Sequence, residues 1–323
     1  MARARRKPGI VGWTLIAGAM IALALAATWI WATNTDAVGL LDRIDRTFTS
    51  GDAELVEGPV AYGTHPQQRL LAFRPAESGA GEVLPILVFF HGGGWHSGRP
   101  EDYAFVARNL APDGFVVVNA GYRLNEDGRF PAMLEDSAAA VRWVHDNANA
   151  LGGDPQRIYL MGHSAGAYNA VMLALDPRWL AAEGVPAGAL KGAIGLAGPY
   201  DFFPFDKESS RNAFGHVTAP ETTQPIAFAR ADAPPLLLAH GDADTVVRPR
   251  NSIVLAKALT EAGRATDPAI FAGMDHKRIL MELARPFDRD PRIKRAVAGF
   301  LAEREAEVSA AGRSSLAVQP PNR

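Results

Sequence analysis

The stretch Gly162-His163-Ser164-Ala165-Gly166 decides how this sequence is interpreted. This G-x-S-x-G pattern follows the apolar run IYLM at 158–161 and precedes a helix-like stretch over residues 165–175. Glycines flanking a serine between a strand and a helix are typical of a sharp turn that lifts a nucleophilic hydroxyl above a sheet edge. Such five-residue patterns also occur by chance as ordinary glycine turns. The strand–turn–helix context favours a catalytic nucleophile at Ser164.

Short apolar runs of strand length recur on both sides of this turn. They are ILVFF at 86–90, FVVV at 115–118 and LLLA at 236–239, with a further strand-like segment at 269–272. Runs that are apolar at every position suit parallel strands covered on both faces. Residues 131–151 and 250–262 have the apolar spacing of helices. The alternation predicts an α/β fold with a mostly parallel central sheet and helices on both faces.

A glycine-rich segment, His91-Gly92-Gly93-Gly94-Trp95, follows the first of these runs directly. Successive glycines allow backbone amides to face a bound oxygen anion without interference from side chains. The amide of Ala165, immediately after the nucleophile, would supply a further donor. A flexible turn or a phosphate-binding loop is the alternative. The phosphate loop is disfavoured because neither G-x-x-x-x-G-K-[ST] nor G-x-G-x-x-G is present.

A nucleophilic serine needs a histidine base, and three histidines follow Ser164 in the chain: His216, His240 and His276. In serine hydrolases built on such an elbow, the acid follows the nucleophile and the histidine follows the acid. The acidic turn HGDAD at 240–244 closes the run LLLA, at the carboxyl end of a predicted strand. Only His276 lies beyond this turn, so elimination predicts His276 as the base.

The acid that orients this histidine stays open on spacing alone. Two aspartates share the turn at 240–244, and two others lie in nearby predicted loops. The candidates are Asp201, Asp242, Asp244 and Asp275.

Together these motifs resemble the hormone-sensitive-lipase-like carboxylesterases and the related bacterial feruloyl-esterase-like α/β-hydrolases. The resemblance covers about residues 62–300. The segment HGGGW at 91–95 is similar to the oxyanion loop of these enzymes. The pattern H-G-x-x-D-x-x-V, formed by His240, Gly241, Asp244 and Val247, matches a motif whose aspartate is the triad acid. GYRL at 121–124, FP at 130–131 and GGDP at 152–155 complete the resemblance.

This resemblance implies an α/β-hydrolase fold and a serine carboxylesterase that acts on a small-molecule ester. It implies a catalytic triad and an oxyanion hole, and it gives Arg123 and Asp136 structural roles. No metal or organic cofactor is expected. The implied site residues are Ser164, Asp244 and His276 for the triad and Gly93, Gly94 and Ala165 for the oxyanion hole.

Two alternatives to ester hydrolysis remain. The same triad would serve an amide-cleaving relative, arylformamidase-like or prolyl-peptidase-like. A non-catalytic binding module could also use a hydrolase scaffold, although such modules generally lose one triad member and this sequence retains all three.

Composition excludes several other classes of function. Apolar residues make up 48% of the 323 residues and charged residues 21%, which is ordinary for a globular protein. The net charge is −2, and without the four basic residues near the N-terminus it is −6, so the body has no electrostatic attraction to nucleic acid. The absence of cysteine excludes disulfides, thiolate catalysis and cysteine metal sites.

The N-terminus predicts a membrane interaction. Residues 1–9 form a basic segment, and residues 10–32 follow with no charged residue. A helix over these 23 residues would be about 34 Å long, slightly more than the hydrocarbon core of a bilayer. The prediction is an uncleaved transmembrane anchor with the catalytic domain on the non-cytoplasmic side. The alternative is a cleaved signal peptide with Ala24-Leu25-Ala26 at its cleavage site, giving a secreted or periplasmic protein.

The rest of the chain divides by composition. Residues 33–58 are predicted to be a linker, with a short amphipathic helix as the alternative, and residues 59–304 a catalytic domain. Within that domain, residues 201–235 have no sustained period, which indicates an insert or a candidate lid. Residues 305–323 are small, polar or charged and are expected to be disordered. The sequence does not indicate an oligomeric state.

Overall fold

The computed structural model of the chain describes Met20 and residues 37–79 and 81–317. The predicted basic segment 1–9 and, apart from Met20, the predicted membrane segment 10–32 lie outside these residues. Within the described part of the chain, no helix combines the length and the apolar character that crossing a bilayer requires.

A single eight-stranded sheet forms the centre of the described chain, with the strand order β1-β2-β4-β3-β5-β6-β7-β8. Strand β2 pairs antiparallel with both β1 and β4, and every other neighbouring pair is parallel. The prediction of a mostly parallel sheet is therefore confirmed. The strands are β1 Ala53–Ala61, β2 Arg69–Pro75, β3 Leu84–Phe90, β4 Val116–Ala120, β5 Gly153–His163, β6 Leu190–Leu196, β7 Leu236–Gly241 and β8 Pro268–Phe271.

Helices cover both faces of this sheet, as predicted. Along β3, Ile86 and Val88 pack into one core, and Leu87 and Phe89 pack into the other, because successive strand side chains point to opposite faces. Helices α3, α4 and α7 contribute to the first core, and α1, α2, α8 and α9 to the second. The helices are α1 Ala37–Phe48, α2 Ala104–Leu110, α3 Ala132–Asn147, α4 Ala165–Leu175, α5 Arg178–Ala182, α6 Glu208–Phe214, α7 Arg250–Glu261, α8 Arg278–Met281 and α9 Arg292–Ala317.

The prediction of a linker over residues 33–58 is wrong for its described part. Helix α1 occupies residues 37–48, as the amphipathic alternative had it, and β1 begins at Ala53 as the edge strand of the sheet. The helix is held by buried ion pairs: Arg108 Nη2 lies 2.6 Å from Asp42 Oδ1 and 2.8 Å from Asp45 Oδ2. In the sequence these two aspartates look solvent-exposed, because their partner Arg108 lies about 65 residues away and no local pattern indicates the pairing.

The prediction of a disordered tail from residue 305 is also wrong as far as residue 317. Helix α9 runs through this region to Ala317. Its Glu305 carboxylate accepts hydrogen bonds from Arg157 Nη1 at 2.8 Å and from the Tyr159 hydroxyl at 2.7 Å. These contacts fix the helix against β5. Residues 318–323 lie outside the described part of the chain.

Residues 201–235 form an irregular segment that contains α6. Its aromatic rings pack onto Trp95 of the glycine-rich segment: Phe214 meets Trp95 edge to face at 4.8 Å between ring centroids, and Phe202 stacks on it at 6.2 Å. The segment is thus an ordered part of the structure above the glycine-rich loop.

Candidate active site

The turn between β5 and α4 has the backbone expected of a nucleophile elbow. Ser164 has φ 55° and ψ −118°, a conformation that costs a non-glycine residue about 1–3 kcal/mol. A Cβ on Gly162 would lie 2.1 Å from the Gly166 carbonyl oxygen, and a Cβ on Gly166 would lie 2.1 Å from the Phe90 carbonyl oxygen. Both flanking glycines are therefore required by close backbone contacts.

The structure brings the three predicted triad residues together, although they lie far apart in sequence. The Ser164 Oγ lies 2.9 Å from His276 Nε2, and His276 Nδ1 lies 2.7 Å from Asp244 Oδ2. Because β5, β7 and β8 run in parallel, the loops that follow them meet at one edge of the sheet. The arrangement is a continuous hydrogen-bonded chain of hydroxyl, imidazole and carboxylate.

The carboxylate of Asp244 is buried and fully used by hydrogen bonds. Its Oδ1 accepts from the Val246 and Val247 amides at 2.8 and 2.9 Å, and its Oδ2 lies 3.3 Å from His240 Nε2. Burial alone would raise the pKa of Asp244. The neighbouring His240 and His276 side chains and the hydrogen bond from the Val247 amide outweigh it and hold the pKa well below its ordinary value. Asp244 therefore stays ionised, as an acid that orients a histidine must.

The other aspartates that the sequence left open have different partners. Asp242 is exposed, and its Oδ1 accepts from the Gly273 amide at 2.7 Å. Asp201 pairs with Arg250 at 2.6 Å. Asp275 Oδ1 accepts from two amides at the start of α8, at 3.0 and 2.8 Å. The geometry agrees with the choice of Asp244 that the resemblance had made.

The predicted oxyanion donors face the same cavity as Ser164. Gly93 and Gly94 have φ values of 114° and 60°, in the left-handed region that favours glycine. In the described part of the chain, the amides of Gly93, Gly94 and Ala165 donate to no protein acceptor. Backbone amides without a protein acceptor, on residues that line a cavity beside a nucleophile, are suited to bind a developing oxyanion.

Two aromatic contacts hold the glycine loop in place. The buried His91 ring stacks on Tyr122 with centroids 4.5 Å apart, and its Nδ1 donates to the Gly92 carbonyl oxygen at 2.7 Å. The Tyr122 hydroxyl donates to the His91 carbonyl oxygen at 2.8 Å. Burial lowers the pKa of His91 to about 4, so the ring is neutral near pH 7.

His163 is a site residue whose role the sequence did not suggest. Its Nε2 donates to the His276 carbonyl oxygen at 2.9 Å, which ties the histidine loop to the elbow. Burial first, and then the neighbouring His276 ring, lower the pKa of His163 to about 3. An unfolded chain binds this proton near pH 6.5. The burial of neutral His163 therefore costs nothing above pH 6.5, and it lowers stability as the pH falls from 6.5 towards 3. The signal in the sequence was only its place between Gly162 and Ser164.

A cavity of about 1130 Å³ opens beside Ser164. One wall consists of α1, whose Val38, Leu40, Leu41 and Ile44 line the cavity, and another consists of residues 199–210. Residues 37–48 contain no motif that would have predicted a place for α1 in the site. The cavity is large enough for a substrate with a sizeable apolar group.

Residues 73–259, more than half of the chain, match the family described as BD-FAE. The chain belongs to the BD-FAE family. Together with the sheet and the site, this match confirms the resemblance to α/β-hydrolase carboxylesterases that the motifs indicated.

Curated relatives of this BD-FAE chain carry esterase names. Esterase LipQ of Mycobacterium tuberculosis is 28% identical over 281 residues, which cover 81% of this chain and 66% of LipQ. Isoprenylcysteine alpha-carbonyl methylesterase ICME of Arabidopsis thaliana is 27% identical over 248 residues, which cover 70% of this chain and 58% of ICME. The chain thus spans less than two thirds of the length of these relatives.

Solved structures show the same fold. Esterase Est2 of Thermogutta terrifontis aligns with a TM-score of 0.63 and 26% identity, over 78% of this chain and 92% of Est2. A truncated carbohydrate esterase from gut microbiota aligns with a TM-score of 0.65 over 80% of this chain and 99% of that chain. At 18% identity, this second likeness shows the fold alone.

Proposed function

We propose that this BD-FAE protein is a serine carboxylesterase, which hydrolyses carboxylic esters through an acyl-enzyme on Ser164. The observation that carries the proposal is the continuous hydrogen-bonded chain from Ser164 through His276 to Asp244, beside free backbone amides. The esterase names of LipQ and Est2 support the same reaction class.

The geometry assigns a role to each group in a two-step acyl transfer. His276 Nε2 takes the proton of the Ser164 hydroxyl as its oxygen attacks the ester carbonyl, and Asp244 stabilises the imidazolium that forms. The amides of Gly93, Gly94 and Ala165 bind the negative oxygen of the tetrahedral intermediate. His276 then gives its proton to the departing alcohol. Water, deprotonated by the same histidine, releases the acid and restores Ser164.

The proposal is tested by covalent labelling of the serine. A form of the Thermogutta terrifontis esterase, 28% identical over 84% of that chain, is phosphorylated by paraoxon. We expect paraoxon to add one phosphoryl group to the full chain, at Ser164, and to abolish hydrolysis of a short soluble ester. Intact-mass and peptide-mass measurements should show no label on Ser164→Ala and full label on the control Ser78→Ala. A folded Ser164→Ala variant with normal turnover would overturn the proposal.

We also propose that residues 10–32 anchor the protein in a membrane, with the catalytic domain on the non-cytoplasmic side. The uncharged length of this segment and the basic residues before it support the proposal. Membranes from cells that express the full chain are washed with carbonate, and the N-terminus of the retained protein is sequenced. Retention with the arginine-rich N-terminus intact supports the anchor. A soluble protein that starts near Ala27 would show signal cleavage instead.

A further inference from the structure

The mouth of the cavity beside Ser164 carries exposed apolar side chains. Three large hydrophobic residues that line this cavity are solvent-exposed: Val246 at 55%, Phe203 at 54% and Phe287 at 36%. Apolar side chains that gather at the rim of a pocket are typical of a surface that meets a partner or a membrane. They lie on three separate loops, so the fold brings them together.

The same mouth is positively charged on an acidic protein. Four basic and two acidic residues line the cavity, which gives a net charge of +2. Arg250 is paired with Asp201, whereas the described part of the chain places no carboxylate within ion-pair distance of the exposed Lys207, Arg248 and Lys277. Unpaired lysines and arginines around an apolar patch attract anionic lipid headgroups.

The chain itself brings this mouth close to the end of the apolar segment 10–32. Ala37, the first residue of α1, lines the cavity and follows residue 32 by five peptide units. A fully extended chain advances at most about 3.6 Å per residue, so Ala37 lies within about 18 Å of that end. Helix α1 cannot swing away freely, because Asp42 and Asp45 are buried against Arg108.

The geometry points to a cavity mouth that rests on an anionic bilayer and takes its ester substrate from the lipid phase. The substrate class is an amphiphilic ester with a long apolar group, which would pass from the bilayer between α1 and the exposed apolar rim. This inference rests on the esterase activity and the anchor proposed above. It adds the surface that contacts the lipid and the phase from which the substrate comes.

Site-directed fluorescence tests the contact directly. The chain contains no cysteine, so a single introduced cysteine carries a fluorophore at one known position. The full chain is reconstituted into vesicles of phosphatidylcholine and phosphatidylglycerol that contain a lipid-borne spin-label quencher. Probes are placed at the mouth in Phe203→Cys and Val246→Cys. Matched controls are Leu55→Cys and Ile270→Cys, which are 52% and 40% exposed on β1 and β8 and do not line the cavity.

We expect the quencher to remove most of the fluorescence at the two mouth positions and little at the two control positions. Equal quenching at all four positions, or none at the mouth, overturns the inference. A mouth probe that is shielded from water but not quenched also overturns it, because residues 10–32 would then cover the mouth in place of lipid. Labelling of each variant by paraoxon, measured in parallel, shows separately whether the proposed esterase chemistry holds.

The charge at the mouth gives a second readout. For an anchored chain, each basic residue at the mouth should shift the equilibrium towards the orientation in which the mouth rests on the anionic surface, by about fivefold. We expect the wild-type chain to hydrolyse a long-chain ester dissolved in the vesicles faster when phosphatidylglycerol is present. The double variant Lys207→Gln/Arg248→Gln should lose this preference, by up to about 25-fold. The double variant Arg264→Gln/Arg295→Gln, outside the cavity lining and not on α1, should keep it. A preference that survives in the first double variant contradicts the inference.

Discussion

Replacement of Asp244 by asparagine tests the geometry of the triad most directly. An asparagine can place its amide in two orientations at this site. In the first orientation, the asparagine oxygen keeps the hydrogen bonds from the Val246 and Val247 amides, and its NH2 group faces His276 Nδ1. In the wild type that nitrogen lies 2.7 Å from Asp244 Oδ2. The histidine must then carry its proton on Nε2, and it can no longer accept the proton of the serine.

The opposite orientation of the amide restores the tautomer of His276 that can accept the serine proton. The free-energy cost of this orientation follows from the hydrogen bonds that it breaks. The NH2 group would then face two backbone amides that now donate at 2.8 and 2.9 Å, and both would lose their acceptor. Each unsatisfied buried donor costs about 1–3 kcal/mol, so the productive form lies about 2–6 kcal/mol above the unproductive one. At about 1.4 kcal/mol for a factor of ten, turnover falls between about 30-fold and 10⁴-fold.

The matched control is Asp242→Asn, two residues away in the same turn. The exposed Asp242 accepts one hydrogen bond, from the Gly273 amide, and an asparagine oxygen can accept the same bond. We expect a loss of less than about threefold there, since surface substitutions of this kind are usually mild. The assay is kcat/KM for a short soluble ester, with active sites counted by paraoxon. If Asp242→Asn proves the more damaging change, or Asp244→Asn stays within threefold of wild type, the assignment of the acid is refuted.

Three further changes test the frame around the triad. Gly166→Ala should lower the free energy of unfolding by about 1–3 kcal/mol or more, measured in urea, and should also reduce ester turnover. The control Gly188→Ala should change neither quantity, because a Cβ at Gly188 meets open space. Asp45→Ala should cost about 3–5 kcal/mol in the same unfolding assay, because it removes one of the two carboxylates that pair with Arg108 and takes the acceptor from the Arg285 amide. The exposed Asp146→Ala should cost less than about 1 kcal/mol. In His163→Gln the side chain keeps an N–H donor but does not titrate. Between about pH 7 and pH 5, its free energy of unfolding should therefore fall by about 2 kcal/mol less than that of the wild type. An equal pH dependence of the two proteins would contradict the depressed pKa of His163.

The sequence predicted β3, β4, β5 and β7 because their runs are apolar at every position, and β8 from a strand-like segment. It did not predict β1, β2 or β6, and β1 alternates exposed and half-buried residues without an apolar run. Helix α4 begins and ends where the helix-like stretch 165–175 predicted. Strand β5 begins five residues before the apolar run at 158–161. This extension was not predicted, because residues 153–157 include polar and charged residues that no hydropathy pattern assigns to a strand. Among these residues Gly153 pairs with Leu84 of β3, and such pairing is not visible in a local window.

For the proposed triad, chain order alone left one candidate base, whereas the acid was selected only by the resemblance of HGDADTVV at 240–247 to a family motif. Elimination left His276 alone, and the structure places it 2.9 Å from Ser164. Asp242 and Asp244 differ by two positions in one turn, so only the path of the backbone decides which carboxylate meets His276. His163 was missed for a similar reason. Its partner is a backbone carbonyl 113 residues away, and a carbonyl carries no residue-type signal in the sequence.

Helix α1 could not be placed in the fold from local sequence patterns. For the same reason, the cavity wall that it forms beside Ser164 could not be predicted. Its two buried aspartates pair with Arg108, so charges that normally indicate a solvated segment here hold the helix in the fold. Fixed in this way, the helix presents Val38, Leu41 and Ile44 to the cavity that contains Ser164. The motifs predict only the residues of the proposed acyl transfer. The wall that would select the ester consists of residues that belong to no motif, and its shape depends on ion pairs that only the folded chain forms.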